Sequence, residues 1–251
     1  MNSTFQLIRS ATVKLRLGGF TLLVDPYLAA RGAGRSYAGK QVSPLVELPF
    51  DLETVLADVD AVFVSHLHSD HFDDAARERL PRDMPLLCPQ SIQTALRDHG
   101  FTDVTGIVHE YARPGLQLVI TPGRHGPDSV LEEMGPVNGF VAAVPGVQPL
   151  YWVGDSIWCP EVEAVVRRYR PGTVVAHACG ADWDGLGPLV MDAAMVESLL
   201  RAATGSRVIA THMDCVDHAT VSRADLRAHF NALPQLRERL VVPADGEVLA
   251  I

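Results

Sequence analysis

Residues 61–71 read AVFVSHLHSDH, an apolar run that ends in His66, His68, Asp70 and His71. The run is short and rich in β-branched and aromatic side chains, so it reads as a buried strand rather than a helix. Side chains at the end of such a strand are rigidly held. A metal needs more ligands than one loop supplies. A chain built around this segment must therefore fold so that other strand ends converge on the same point.

The spacing has a physical use. In an extended or turning segment His66 and His68 can point the same way and share one metal. Asp70 and His71, on the following turn, can face a second. Neutral imidazole and carboxylate suit Zn²⁺ first, with Mn²⁺ or iron as alternatives. Three further candidates follow apolar runs. His125 follows 116–121 in TPGRHG, Asp155 follows 150–153 in WVGDS, and His212 follows 208–211 in ATHMD. Each alone is an ordinary turn or surface residue; together they complete two coordination shells.

The rest of the chain alternates strands and helices. Residues 12–17 and 20–24 form a hairpin across Gly18-Gly19. Further strands are expected at 85–88, 139–144, 173–178, 240–242 and 247–251. Helices are expected at 51–58, 73–80, 91–99, 160–168, 189–203 and 222–232. Residues 29–49, rich in Gly and Arg, read as a loop too long for a plain connection, which points to a functional role. The pattern implies two sheets with helices outside, in a single domain over 1–251.

Composition narrows the function. The net charge is −9, with Lys14 and Lys40 as the lysines, so a nucleic-acid partner is not expected. The first residues lack a basic start followed by a long apolar run, and no segment approaches the roughly 20 apolar residues of a membrane span. A cytoplasmic protein with no membrane partner is expected, its oligomeric state open between monomer and homo-oligomer. Cys88, Cys159, Cys179 and Cys215 are scattered and read as free buried thiols.

The order DP, HxHxDH, His, GD, His over residues 25–212 resembles the metallo-β-lactamase superfamily. That resemblance implies an α/β fold, a four-layer αβ/βα sandwich, with two divalent transition-metal ions between the sheet edges. It assigns His66, His68 and His125 to one metal and Asp70, His71 and His212 to the other, with Asp155 bridging. Asp25 matches an early Asp that supports the His loop rather than binding metal. VKLRLGGFTLLVDPYL and THMDCVDHATVSRADL resemble the branch that contains L-ascorbate-6-phosphate lactonase. Metallo-β-lactamases that open antibiotics usually lack a His at the position of His71; its presence is more typical of hydrolases of esters, lactones, thioesters and phosphodiesters.

The implied chemistry is hydrolysis of a small ester, lactone or phosphodiester by hydroxide shared between two metals. Asp70 would orient the nucleophile or carry a proton, and His177, at the end of 173–178, would donate to the substrate or the oxyanion. Arg31, Arg35 and Tyr37 on the long loop, with Arg124 beside His125, make an anionic substrate an expectation. His218, six residues past His212, reads first as surface or structural, with pocket lining as the alternative, and Trp152, Trp158 and Trp183 read as core or pocket wall. An RNA-processing nuclease of the same fold is the alternative, but no basic exosite is visible. An iron-dependent oxidoreductase is another, but the chain has no room for a flavin domain.

Overall fold

The computed structural model describes residues 3–251. Strands β1 (Thr4–Arg9), β2 (Thr12–Leu17), β3 (Phe20–Val24), β4 (Ala61–Phe63), β5 (Leu86–Pro89) and β6 (Val104–Ile107) lie in that order in one sheet. Strands β7 (Glu110–Arg113), β8 (Leu116–Pro122), β9 (Asn138–Ala143), β10 (Leu150–Trp152), β11 (Thr173–His177), β12 (Arg207–Thr211) and β13 (Leu240–Val241) lie in order in the other. The last strand, β14 (Val248–Ala250), returns to the first sheet and pairs antiparallel with β1.

Alternation along the strands builds the layers. Leu22, Val24, Phe63, Phe140, Trp152, Val175 and Ile209 point inward and form one cluster shared by both sheets. Their neighbours Leu23, Val62, Tyr151 and Val174 point outward, under helices. The first sheet is covered by α1 (Leu52–Leu56), α2 (Asp74–Arg79) and α3 (Gln93–Asp98). A single turn, α4 (Leu131–Met134), lies between β8 and β9. The second sheet is covered by α5 (Pro160–Tyr169), α6 (Ala193–Ala202) and α7 (Arg223–Phe230), with α8 (Pro234–Arg237) beside them. Val162, Val165 and Val166 on α5, and Val196, Leu199 and Leu200 on α6, repeat the three-and-four spacing of a helix with one buried face. The fold is the αβ/βα sandwich.

Several boundaries differ from the sequence reading. Strands β1, β6 and β7 were not anticipated; β6 contains Gly106 and β7 is a polar edge, so pairing partners rather than propensity make them strands. Helix α6 begins at Ala193, not 189, because the Asp192 side chain caps it by accepting from Met195 N (2.8 Å). Leu189–Met191 are thereby left as irregular chain beside the site. Among the described residues no helix is long and apolar enough to cross a membrane, and all four cysteines are buried and free.

The topology delivers strand ends to one edge. β4 runs parallel to β3, and β10, β11 and β12 are mutually parallel. β9 is antiparallel to both β8 and β10, so β8 points the same way as β10. The carboxyl ends of β8, β10, β11 and β12 therefore share one rim, as do those of β3 and β4. The two rims meet where His212 N donates to Ser10 O (3.0 Å) in the β1–β2 turn.

The 29–49 segment is irregular but fixed. Arg9 is wholly buried, and its guanidinium donates to Tyr27 O (2.7 Å), Ala29 O (2.9 Å) and Val46 O (3.0 Å). Both ends of the segment thus hang on one side chain of β1. Arg9→Met would leave three carbonyls without their donor, and we expect it to cost about 3 kcal/mol, read from the urea midpoint. A loss below about 1 kcal/mol would show that other contacts hold the segment.

Candidate metal centre

Each of these strand ends contributes to the site, and the end of β4 contributes several side chains. Asp25 follows β3, His66 to His71 follow β4, His125 follows β8, Asp155 follows β10, His177 ends β11 and His212 follows β12. Local backbone chemistry aims them. Gly154 has φ +76°, and a Cβ there would lie 2.8 Å from the Trp152 ring and 2.9 Å from Asn138 O. The turn that presents Asp155 thus requires glycine. Asp25 and His212 themselves adopt positive φ (46° and 67°), a conformation that costs non-glycine residues about 1 kcal/mol or more each.

Asp25 organises the first loop. Its Oδ1 accepts from Ser65 N (2.8 Å), and its Oδ2 accepts from Ser65 Oγ (2.7 Å) and pairs with His71 Nδ1 (2.7 Å). With its own proton on Asp25, Ser65 Oγ is left to accept from His66 Nδ1 (2.8 Å). His125 Nδ1 donates to Leu189 O (2.9 Å), and His212 Nδ1 meets Cys179 Sγ at 3.6 Å. Four imidazoles therefore have Nδ1 engaged on the outside, which turns the Nε2 lone pair inward.

Those nitrogens converge. Ligand atoms of His66, His68 and His125 lie within 4.8 Å of one another, and so do those of His71, Asp155, His177 and His212. Asp155 stands between the groups. Its Oδ2 is 3.1 Å from His71 Nε2, 3.5 Å from His125 Nε2 and 3.9 Å from His66 Nε2. Its Oδ1 is 2.6 Å from His177 Nδ1 and 3.8 Å from His212 Nε2. Asp70 Oδ2 approaches His212 Nε2 at 3.5 Å.

These residues fit a metal. His71 Nε2 and His212 Nε2 face each other at 3.0 Å, both with Nδ1 occupied elsewhere, a pairing that only a shared proton or a cation relieves. His66 Nε2 is buried without a hydrogen-bond partner among the described residues. Burial, and then the neighbouring imidazoles, keep His66 neutral, its pKa well below 6.5. Burial also lowers His68, and it lowers His212 to about 3 despite the nearby Asp155. For His71 burial opposes charge, but the flanking Asp155 and Asp25 carboxylates override it and raise its pKa well above 6.5. Burial works against ionised Asp155 and Asp70, yet the surrounding imidazoles hold both below the usual carboxylate range.

His177 does not stand where a substrate donor is needed. It is fully buried behind Asp155, edge-on to Trp152 at 5.0 Å, and absent from the cleft lining. The structure thus replaces the expected substrate contact with a contact to the carboxylate. Two expected arginines also face elsewhere. Arg31 is exposed, its backbone N–H donating to Glu47 Oε2 (3.3 Å), and Arg124 pairs with Asp128; neither lines the cleft.

The cleft above the cluster has a volume of about 340 Å³. Leu67, Met134, Trp183 and Leu189 supply apolar lining, and Arg35, Tyr37, Arg77 and His218 supply polar lining. Arg77 was not singled out from the sequence, though it sits on α2 directly after the His loop. Met134 and Leu189 had no signal, because each is delivered by a segment without regular periodicity.

A family described as a β-lactamase superfamily domain matches residues 21–213. The UPF0173 protein YddR of Bacillus subtilis is 32% identical over 96% of this chain and 96% of its own length. The solved structure of a possible metal-dependent hydrolase from Veillonella parvula superposes with a TM-score of 0.96 at 28% identity, covering 100% of both chains. That of an isothiocyanate hydrolase from Delia radicum gut bacteria superposes with a TM-score of 0.94 at 29% identity, covering 99% of both chains.

Metal uptake at this cluster would compete with the proton on His71. In metal-free protein the raised His71 pKa contributes stability that is complete below its usual 6.5 and is lost as pH rises through the folded value. Metal affinity should run the other way, rising with pH, with about one proton released near neutral pH, measurable by calorimetry in buffers of different ionisation enthalpy. Asp25→Ala should weaken metal affinity by roughly 10–100-fold in chelator competition while the fold persists. Unchanged affinity would show that Asp25 does not tune the site.

Proposed function

The chain belongs to the β-lactamase superfamily and, within it, to the UPF0173 family of metal-dependent hydrolases, and we propose that it hydrolyses a small molecule with two divalent metal ions. The carrying observation is Asp155, one carboxylate within 4 Å of imidazoles from both groups. In this reading His66, His68 and His125 hold one ion, Asp70, His71 and His212 hold the other, and Asp155 serves both. Zn²⁺ suits this nitrogen-rich set best. Bound divalent cations supply a water of lowered pKa and a Lewis acid for the scissile group.

The chain's own residues supply the rest. Ser65 and Asp25 fix the tautomers of His66 and His71. His177, through its 2.6 Å contact with Asp155 Oδ1, holds the shared carboxylate in one orientation and is a positioning residue. Asp70, on the cleft wall, has an oxygen available to orient the attacking water. The apolar lining excludes bulk water around the electrophile.

The substrate class follows from an electrophilic centre placed between polar and apolar walls. An ester, a lactone or a phosphodiester fits it, and the likeness of 13–28 to the lactonase branch favours the lactone. A second reading is an isothiocyanate, supported by Leu67, Met134, Trp183 and Leu189 next to His68 and His125. Water would add across the C=N bond, and the thiocarbamic acid would release carbonyl sulfide and leave the amine.

A panel of γ-butyrolactone, p-nitrophenyl acetate, bis(p-nitrophenyl) phosphate and benzyl isothiocyanate tests this on metal-saturated protein. At least one should be hydrolysed, and chelation should abolish turnover. Asp155→Ala should lower kcat/KM by roughly 100-fold or more, about 2.7 kcal/mol, while the circular dichroism spectrum is retained. Fully metallated, folded protein that is inert towards all four would defeat the proposed substrate classes.

A further inference from the structure

The segment that carries Arg35 and Tyr37 is fastened by a single carboxylate outside the metal cluster. Residues 36–41 wrap the Asp217 side chain, which accepts from Ser36 Oγ (2.5 Å) and Tyr37 N (2.7 Å). It also accepts from the backbone N–H groups of Ala38, Lys40 and Gln41, each at 3.2 Å. The Asp217 backbone N–H donates to Ser43 Oγ (3.1 Å), and Leu45 N donates to Cys215 O (2.7 Å). The strap is thus stitched to the loop that follows His212, with Asp217 at the centre of the stitch. Burial opposes ionisation there, but the Ser36 hydroxyl and the strap amides hold the carboxyl far below the usual range.

What the strap presents is a wall of the cleft. The Tyr37 ring packs on His218 at 4.8 Å between centroids, and its hydroxyl lies 2.7 Å from Ser69 Oγ, next to Asp70. Arg35 lines the same cleft and makes no ion pair among the described residues. The other charged groups of the lining away from the cluster are engaged. Arg77 pairs with Asp74 (2.8 Å), and the Asp182 carboxylate accepts from Gly185 N (2.7 Å) and Gly187 N (3.3 Å). Arg35 is left as the cation with a free fork, which is the geometry for a carboxylate or phosphate.

We propose that Asp217 is a specificity-positioning residue, fastening the 36–41 strap so that Arg35 and Tyr37 bind an anionic group on the substrate, away from the scissile centre. This rests on the hydrolase reading above. Arg35 would touch the substrate; Asp217 would not, and acts only by fixing the strap.

The test compares p-nitrophenyl hemisuccinate with p-nitrophenyl acetate on metal-loaded, full-length protein, wild type and Asp217→Asn. The amide turns donors towards the strap's own N–H groups. It should lower the hemisuccinate-to-acetate ratio of kcat/KM about tenfold, with the loss in KM for the hemisuccinate. Arg35→Ala should lower the ratio equally, and the double variant should lose no more than Arg35→Ala alone. Amide exchange at 37–41 should accelerate about tenfold in Asp217→Asn at unchanged metal content. An unchanged ratio, equal losses on both esters, additive losses, or unchanged exchange would each overturn the proposal. Should Asp217→Asn not fold, Ser36→Ala removes one hydrogen bond and should move ratio and exchange in the same direction by a smaller factor. If the wild type hydrolyses neither ester, it is the esterase reading that fails, and the exchange measurement still decides whether Asp217 holds the strap.

Discussion

A carboxylate with no water around it must find donors, and Asp25 finds three in one loop: the Ser65 amide, the Ser65 hydroxyl and His71 Nδ1. Much of the site's order descends from that arrangement. The Ser65 hydroxyl, having given its proton to Asp25, is committed as an acceptor for His66. His71, with Nδ1 held, offers Nε2 to the interior. The positive φ of Asp25 is sustained because three hydrogen bonds at charged strength outweigh a local cost of about 1 kcal/mol. The His66–His71 loop is thus oriented from behind, by a residue that does not itself line the cleft.

The second sheet solves the same problem differently. His125 leans on a backbone carbonyl, His212 on a thiol, and Asp155 on the His177 ring. None of these partners is near its client in sequence, and two come from neighbouring strand ends. Their reliability derives from the parallel pairing of β10, β11 and β12, which places successive carboxyl ends side by side. The aromatic stack beneath, Phe140 on Trp152 at 5.5 Å with Phe63 edge-on to Phe140 at 4.8 Å, is rigid packing directly under the polar cluster. A dry, stiff floor strengthens each electrostatic interaction above it.

The cleft is drawn from less regular pieces. The strap at 36–41, the turn of α4 and the irregular 189–191 segment lie outside the long helices and strands, yet each is held by specific hydrogen bonds. Asp217 holds the strap and Arg9 holds the two ends of the longer 29–49 segment, and Asp192, by capping α6, leaves Leu189 to serve both as the acceptor for His125 and as cleft wall. Substrate preference can therefore vary through these segments while the cluster below stays fixed.

The sequence by itself determined which polar side chains stand at the strand ends. His66, His68, Asp70 and His71 follow a strand whose burial is visible in its composition, and His125, Asp155 and His212 follow apolar runs of the same kind. Alternation and three-and-four spacing were enough for most strands and for the helices that face the sheets. The β-α order was enough for the two-sheet class. Only the tertiary structure decided which side chains line the cleft. The sequence treats Arg31, Arg35 and Arg124 alike, but Arg31 and Arg124 turn away. His177 has the pattern of a site residue, yet its strand pairing puts it behind Asp155. Arg77 and Asp217 carried no signal. The reason is physical: a ligand at a strand end is aimed by periodicity and backbone geometry, which are local. A loop side chain is aimed by hydrogen bonds to residues as much as 181 positions away, and these exist only once the sheets have closed.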